Sequence, residues 1–161
     1  MCGFLGKFSF SDFDSTDLNS ANKKILCRGP DNTSELVNYD NQVKYGLTFN
    51  RLSILDLNDV ANQPMTSLDS RNIIMFNGEI FNHSDLRKKL KSIGANFKTD
   101  RSDTEVVLNG LKINGLNFIN DLRGQFAIFY FDKANKKIYL VRDRLGQKPL
   151  YYSITNYEFI F

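Results

Sequence analysis

Tryptophan is absent from this 161-residue sequence, histidine occurs once and cysteine twice. A single histidine, His83, cannot join two thiols into a zinc set of the usual spacing, so no metal ligands are expected. Cys2 and Cys27 are too few for a disulfide framework. The start of the chain lacks a basic segment followed by an apolar core and a small-residue cleavage site. No apolar run approaches membrane-spanning length, so a membrane is not an expected partner. A reducing, cytoplasmic setting is the default. Charge of one sign is lacking too: the formal net charge is +3, with Lys and Arg interleaved among Asp and Glu. That excludes the footprint of nucleic-acid binding. The one dense basic run, Arg87-Lys88-Lys89 with Lys91, falls on an expected helix and reads as a solvated face.

What remains is an ordinary globular composition, 42% hydrophobic and rich in Phe, long enough for one domain with a real core. Cys2 to Phe10 is a glycine-punctuated apolar run and reads as a strand, with a turn at Ser11 to Ser15. Ser15 or Thr16 is placed to cap a helix running to about Leu26, with Leu18, Ala21, Ile25 and Leu26 as its apolar positions. Arg28-Gly29-Pro30-Asp31 is a loop signal. Ser34 to Tyr39 and Val43 to Phe49 read as paired strands joined through Asp40-Asn41, and Asn58 to Thr66 as loop. Asn72 to Phe76 is a buried-type strand running into Asn77-Gly78-Glu79. Asn82 then reads as the N-cap of a helix with Leu86, Leu90 and Ile93 on one face, stopped by Gly94. Ser102-Asp103 opens a second helix through Ile113, and Phe118 to Leu122 a helical turn. Gln125 to Phe131 with Ile138 to Val141, and Pro149 to Ile154 with Glu158 to Phe161, read as hairpins. This order of strands and helices fits an α+β domain of sheets covered by helices. The sequence ends inside the strand-like run Phe159-Ile160-Phe161, which reads as a chain cut short at its C-terminus.

Four places carry chemistry: Cys2, Arg51, the stretch Asn77 to Glu79, and Asp103. If Met1 is removed, Cys2 offers a thiol nucleophile and a free α-amine on one residue. Reference pKa values of about 8.5 for a thiol and about 7.7–8.0 for an α-amine let both change protonation near neutrality. The amine then does for the thiol what an imidazole does in a Cys–His pair. Attack of Cys2 on an amide carbonyl builds an oxyanion, and Asn77-Gly78 can supply a side-chain and a backbone N–H to it. Arg51 interrupts an apolar stretch, where its charge must find a partner or ligand, and a guanidinium matches a carboxylate in two-pronged geometry. Glu79 and Asp103 suit an ammonium group, although Asp103 also sits where a helix start favours an acid.

The chain resembles the class II, N-terminal-nucleophile glutamine amidotransferase domain of asparagine synthetase-type enzymes. The resemblance lies in an ordered set spanning nearly the whole chain. It comprises MCG at the start, RGPD at Arg28 to Asp31, RLSILDL at Arg51 to Leu57 and QPM at Gln63 to Met65. NGEIFNH at Asn77 to His83, SDTEV at Ser102 to Val106, LRGQFAI at Leu122 to Ile128 and RDRLGQKPLYY at Arg142 to Tyr152 complete it. The implied fold is an Ntn-hydrolase αββα sandwich of two stacked, mainly antiparallel sheets flanked by helices, here incomplete at its C-terminus and without the synthetase domain. The implied reaction is hydrolysis of glutamine to glutamate and ammonia through a cysteinyl thioester. Cys2 matches the nucleophile, Asn77 and Gly78 the oxyanion hole, Arg51 the holder of the α-carboxylate, and Glu79 and Asp103 the surroundings of the α-ammonium. The implied partners are glutamine and a synthetase domain, in cis or in trans, with a homodimer as one possible assembly. No cofactor is implied for this domain; ATP and Mg²⁺ belong to the missing synthetase domain.

One residue departs from the pattern. Cys27 stands where the family usually has a histidine before the RGPD arginine, and reads as a buried, inert thiol. His83 reads as helix-start structure, and Arg142, Asp143, Arg144 and Lys148 as a structural turn and domain contact. Two rival readings stay open: a non-catalytic scaffold or glutamine-responsive module, and an amidotransferase serving another acceptor, such as a sugar acid or peptide intermediate.

Overall fold

The computed structural model describes residues 2–10, 13–39 and 43–161; Met1, part of the Ser11 to Ser15 turn and the Asp40-Asn41 link lie outside them. The chain divides into two compact units, Met1–Ser53 with Leu150–Phe161, and Ile54–Pro149.

The first unit holds β1 (Gly3–Ser9), α1 (Ser15–Lys24), β2 (Asn32–Tyr39), β3 (Lys44–Arg51), and the late strands β8 (Ser153–Ile154) and β9 (Glu158–Ile160). Its five-stranded sheet runs β2-β3-β1-β9-β8, every neighbouring pair antiparallel. β1 pairs with β3 from Gly3↔Asn50 to Ser9↔Lys44. α1 starts one residue earlier than its expected caps imply, because Asp14 accepts from the Thr16 N–H at 2.8 Å. The helix ends at Lys24, and Leu26–Arg28 turns as a short 3-10 segment. Leu18 and Asn22 are its buried residues, while Ala21 and Leu26 are exposed. Cys27 is exposed too, correcting the expectation of a buried thiol. The tight turn leaves Cys27 outward while Arg28 Nε donates to the Cys2 carbonyl at 3.1 Å.

The second unit holds β4 (Met65–Thr66), β5 (Asn72–Ile80), α2 (His83–Ser92), α3 (Asp103–Asn114), β6 (Gly124–Asp132) and β7 (Lys137–Arg142). Its sheet runs β4-β5-β6-β7, all antiparallel. The segment expected as plain loop, Asn58 to Thr66, therefore contains a 3-10 turn at Asp59–Ala61 and the two residues of β4. One face of this sheet, through Ile74, Phe76, Ile80, Phe126 and Ile128, packs with Leu86 and Leu90 of α2 and Val107, Leu108 and Leu111 of α3. The other face carries Ile73, Met75, Ala127 and Phe129, each fully buried.

α2 departs from its sequence reading at three residues, of which Ile93, expected on the apolar face, is the exposed C-cap. Asn82 occupies the N-cap position without a capping bond; its amide donates to the Asp121 carbonyl at 2.9 Å and its oxygen accepts from the Arg123 N–H at 3.0 Å. Arg87 is not on a solvated face but only 7% exposed. Its long stem carries the guanidinium to the Thr99 carbonyl (2.6 Å), the Thr99 hydroxyl (3.2 Å) and the Ser102 carbonyl (2.7 Å). It also lies over the Phe97 ring, 4.2 Å from the centroid. Burial pushes the Arg87 pKa down from its ordinary value. Gly94, with φ +92°, ends α2 as expected. Ser102 caps α3 through the Glu105 N–H.

Asp143 closes the turn after β7. Its carboxylate accepts from the backbone N–H groups of Phe126, Leu145, Gln147 and Lys148. Desolvation pushes its pKa up, but those four donors outweigh it and hold it below the usual carboxylate value. Arg142 donates to the Lys148 and Gly146 carbonyls and Arg144 to those of Leu122 and Asn120, so the predicted structural turn is present.

Candidate active site

In the first unit, the candidate nucleophile and the candidate carboxylate holder meet at one end of the sheet. β1 begins at Gly3, whose partner is Asn50, so Cys2 lies beside the end of β3 where Arg51 and Leu52 follow. The Cys2 sulfur is half-buried and accepts from the Leu52 N–H at 3.4 Å. Arg51 is only 7% exposed.

The RGPD motif explains how this corner is fixed. Arg28 holds the Cys2 carbonyl. Gly29 lies so close to β3 that a Cβ there would sit 2.3 Å from the Asn50 carbonyl oxygen, which no side chain can occupy. Asp31 donates its N–H to the Arg51 carbonyl at 3.1 Å, and its carboxylate accepts from the Ser53 N–H at 2.7 Å. Behind the corner, Asn50 is fully buried, exchanging bonds with Asn22 of α1 (2.8 and 3.4 Å) and accepting from the Thr33 hydroxyl at 2.9 Å. A segment that reads as loop in the sequence is thus a clamp on both Cys2 and Arg51.

In the second unit, Asn77, Gly78 and Glu79 do not follow β5; they are part of it, paired with Ala127, Phe126 and Gln125 of β6. The strand's two edges can be told apart. Phe126 exchanges its backbone bonds with Asp143, away from β5, so Gly78↔Phe126 is a non-hydrogen-bonded pair. Such pairs bring the Cα atoms closest, and a Cβ on Gly78 would lie 2.1 Å from the Gln125 carbonyl oxygen. The Gly78 N–H therefore points to the outer edge of β5, where β4 reaches only Ile73 and Ile74. Asn77 is buried and Glu79 exposed, on the same face of the strand. Asp103, the first residue of α3, accepts from the Ile80 N–H at 3.1 Å. Burial raises the Asp103 pKa, against the lowering pull of that N–H and of the nearby His83. The structure thus gathers Cys2 and Arg51 in one unit, and Asn77, Gly78, Glu79 and Asp103 in the other.

Sequence reasoning missed two contributors: the Leu52 N–H that meets the sulfur and the Gln63 side chain treated below. Leu52 was legible only as part of the RLSILDL motif, and Gln63 only as part of the QPM motif. Among the described residues no group of three or more His, Cys, Asp or Glu is placed to hold a metal ion, and no helix is long and apolar enough to cross a membrane.

A family model described as a glutamine amidotransferase domain matches residues 1–161. The chain is 37% identical over its full length to asparagine synthetase 2 (glutamine-hydrolyzing) of Bacillus subtilis, of which it covers 21%. It is equally 37% identical to asparagine synthetase 1 (glutamine-hydrolyzing) of the same organism, covering 25%. The chain thus spans about a fifth to a quarter of the length of these curated relatives. Among solved structures it matches glutamine phosphoribosylpyrophosphate amidotransferase from B. subtilis, determined with ADP and GMP. That match has a TM-score of 0.76 at 16% identity, over 98% of this chain and 41% of the other. The likeness bears out the expected fold class: an α+β N-terminal-nucleophile hydrolase fold with two mainly antiparallel sheets and helices.

Proposed function

Because the chain belongs over its whole length to the glutamine amidotransferase domain family, we propose that it hydrolyses glutamine to glutamate and ammonia through a thioester on Cys2. The observation that supports this best is the seat of the Cys2 sulfur, half-buried and met by the N–H of the residue that follows the buried Arg51.

The reaction begins once Met1 has been removed. The Cys2 α-amine takes the thiol proton, and the sulfur attacks the side-chain amide carbon of glutamine. The carbonyl oxygen becomes an oxyanion, to which the Asn77 amide and the Gly78 N–H donate. The protonated amine hands its proton to the leaving nitrogen, ammonia departs, and the acyl group stays on sulfur. Water, deprotonated by the same amine, attacks the thioester; glutamate leaves and the thiol is restored. Arg51 holds the α-carboxylate in its two-pronged geometry. Glu79 and Asp103 face the α-ammonium, whose charge draws the buried Asp103 carboxyl back toward its ionised form.

The ammonia then serves a synthetase domain, in cis or as a partner in trans, that uses ATP and Mg²⁺ to form an amide. Aspartate is the acceptor suggested by the names of the relatives. No step above involves ATP or a metal. The test is direct: the chain with Met1 removed should release ammonia from glutamine, and a thiol-reactive glutamine analogue should label Cys2. Turnover that survives Cys2→Ala would refute the assignment.

A further inference from the structure

The outer edge of β5 is closed by side chains instead of a strand. β4 covers Ile73 and Ile74 and stops. At Phe76 the Gln63 side chain takes over: its Oε1 accepts from the Phe76 N–H at 2.6 Å, and its Nε2 donates to the Phe76 carbonyl at 3.2 Å. These are the two bonds a paired strand residue would make. Nε2 also reaches the Thr104 hydroxyl at 3.2 Å, tying the edge to the first turn of α3, and Gln63 is only 5% exposed. At Ile80 the carboxylate of Asp103 receives the N–H. Phe76, Gly78 and Ile80 face the same edge, because their neighbours Asn77 and Glu79 face β6. Between the two side-chain closures, no partner among the described residues meets the Gly78 N–H.

From this we infer that Gln63 is a positioning residue for glutamine hydrolysis: by standing in for a strand at Phe76, it fixes β5 so that the Gly78 N–H stays open as a donor. The inference rests on the glutaminase reading above. The chemical reason is that a donor aimed at a developing oxyanion helps only if it does not move when charge appears. A primary amide can accept from one backbone group and donate to the next within the same residue. Gln63 thus holds the strand two residues from the working amide without touching substrate.

Two variants of the full chain separate this role from plain stability. Gln63→Met keeps the length of the side chain but neither accepts nor donates usefully at Phe76. It should lower kcat by about 10- to 100-fold while KM for glutamine stays within about twofold, because ground-state contacts are untouched. Gln63→Glu gives an internal rescue. As a neutral acid it reproduces one acceptor and one donor; as a carboxylate it sets a second acceptor against the Phe76 carbonyl. The ratio of its kcat to that of the parent should therefore fall as pH rises. Amide hydrogen exchange followed by NMR supplies a readout independent of turnover. The Phe76 N–H should lose protection by about 10-fold or more in Gln63→Met, while the β6-facing amides of Asn77 and Glu79 keep theirs. A parent chain that is active but shows unchanged kcat in folded Gln63→Met, or a Gln63→Glu ratio flat with pH, would overturn the inference. A parent chain that neither releases ammonia nor labels at Cys2 would overturn the glutaminase reading instead.

Discussion

The two units fill their interiors with different materials. In Ile54–Pro149 the core is mainly aliphatic, although Phe76, Phe126 and Tyr130 join it and Phe118 sits on Gly110: side chains of α2 and α3 interlock with one face of the sheet, with Val106, Val107, Ile74 and Leu122 fully buried. In the unit carrying Cys2, α1 buries only Leu18 and Asn22, and rings do most of the filling. The Phe161 ring occupies the place where a Gly6 side chain would stand; a Cβ there would lie 2.1 Å from its Cζ. Phe13 and Leu18 fill the same role over Gly46. Phe8 stacks on Tyr45 with centroids 5.0 Å apart. The lesson is that an aliphatic core is vulnerable to lost volume, whereas a ring seated on glycine is vulnerable to added volume.

The sharpest test of that division is chemical. Cys2→Ala should lower ammonia release by at least on the order of 10⁴-fold, because a nucleophile acts as part of a unit and its loss is not shared out. The melting temperature should stay within about 2 °C of the parent, since the half-buried thiol contributes little packing. Next in size comes lost volume in the aliphatic unit. Leu108 is 1% exposed, and Leu108→Ala should cost about 2–5 kcal/mol in denaturant unfolding.

Added volume in the aromatic unit should rank below that. Gly6→Ala should cost about 1–3 kcal/mol, and combining it with Phe161→Leu should recover part of the loss. Strict additivity in that double-mutant cycle would break the comparison, since it would mean that ring and glycine are not coupled. The smallest effect concerns a charge. Burial raises the Asp103 pKa from 3.8, so the folded chain holds this proton more tightly than the unfolded chain. Stability contributed by the neutral acid is present at low pH and is lost as pH rises from 3.8 through the raised folded value. Asp103→Asn keeps an oxygen for the Ile80 N–H and removes this dependence. Its melting temperature relative to the parent should climb across that window and level off above it; a difference flat with pH would show that burial does not govern this carboxyl.

Much of this was legible in the sequence because it is carried by local pattern. The strands from Cys2, Asn72 and Gln125 follow apolar runs, and Gly94 and Ser102 mark helix ends through backbone chemistry that any observer of the sequence can read. Cys2 and Arg51 stood out because each placed a reactive or charged group where local structure alone gave it little reason to be, whereas Asn77 and Asp103 stood out only through the chemistry that Cys2 and Arg51 call for. What escaped were bonds set by tertiary closure. Arg87 sits in a basic run, yet its guanidinium is claimed by carbonyls of residues 99 and 102. Asn82 has a capping residue's identity and position but spends its amide on residues 121 and 123. Gln63 imitates a strand across thirteen residues of chain, and no periodicity records a side chain behaving as backbone.

The opening on β5 also bears on what can pair with that edge. A foreign strand gains a foothold only where several successive backbone groups stand unpaired, because a ladder needs more than one rung. With Gln63 seated on Phe76 and Asp103 on Ile80, the vacancy spans a single rung, one short of the second that a ladder would need.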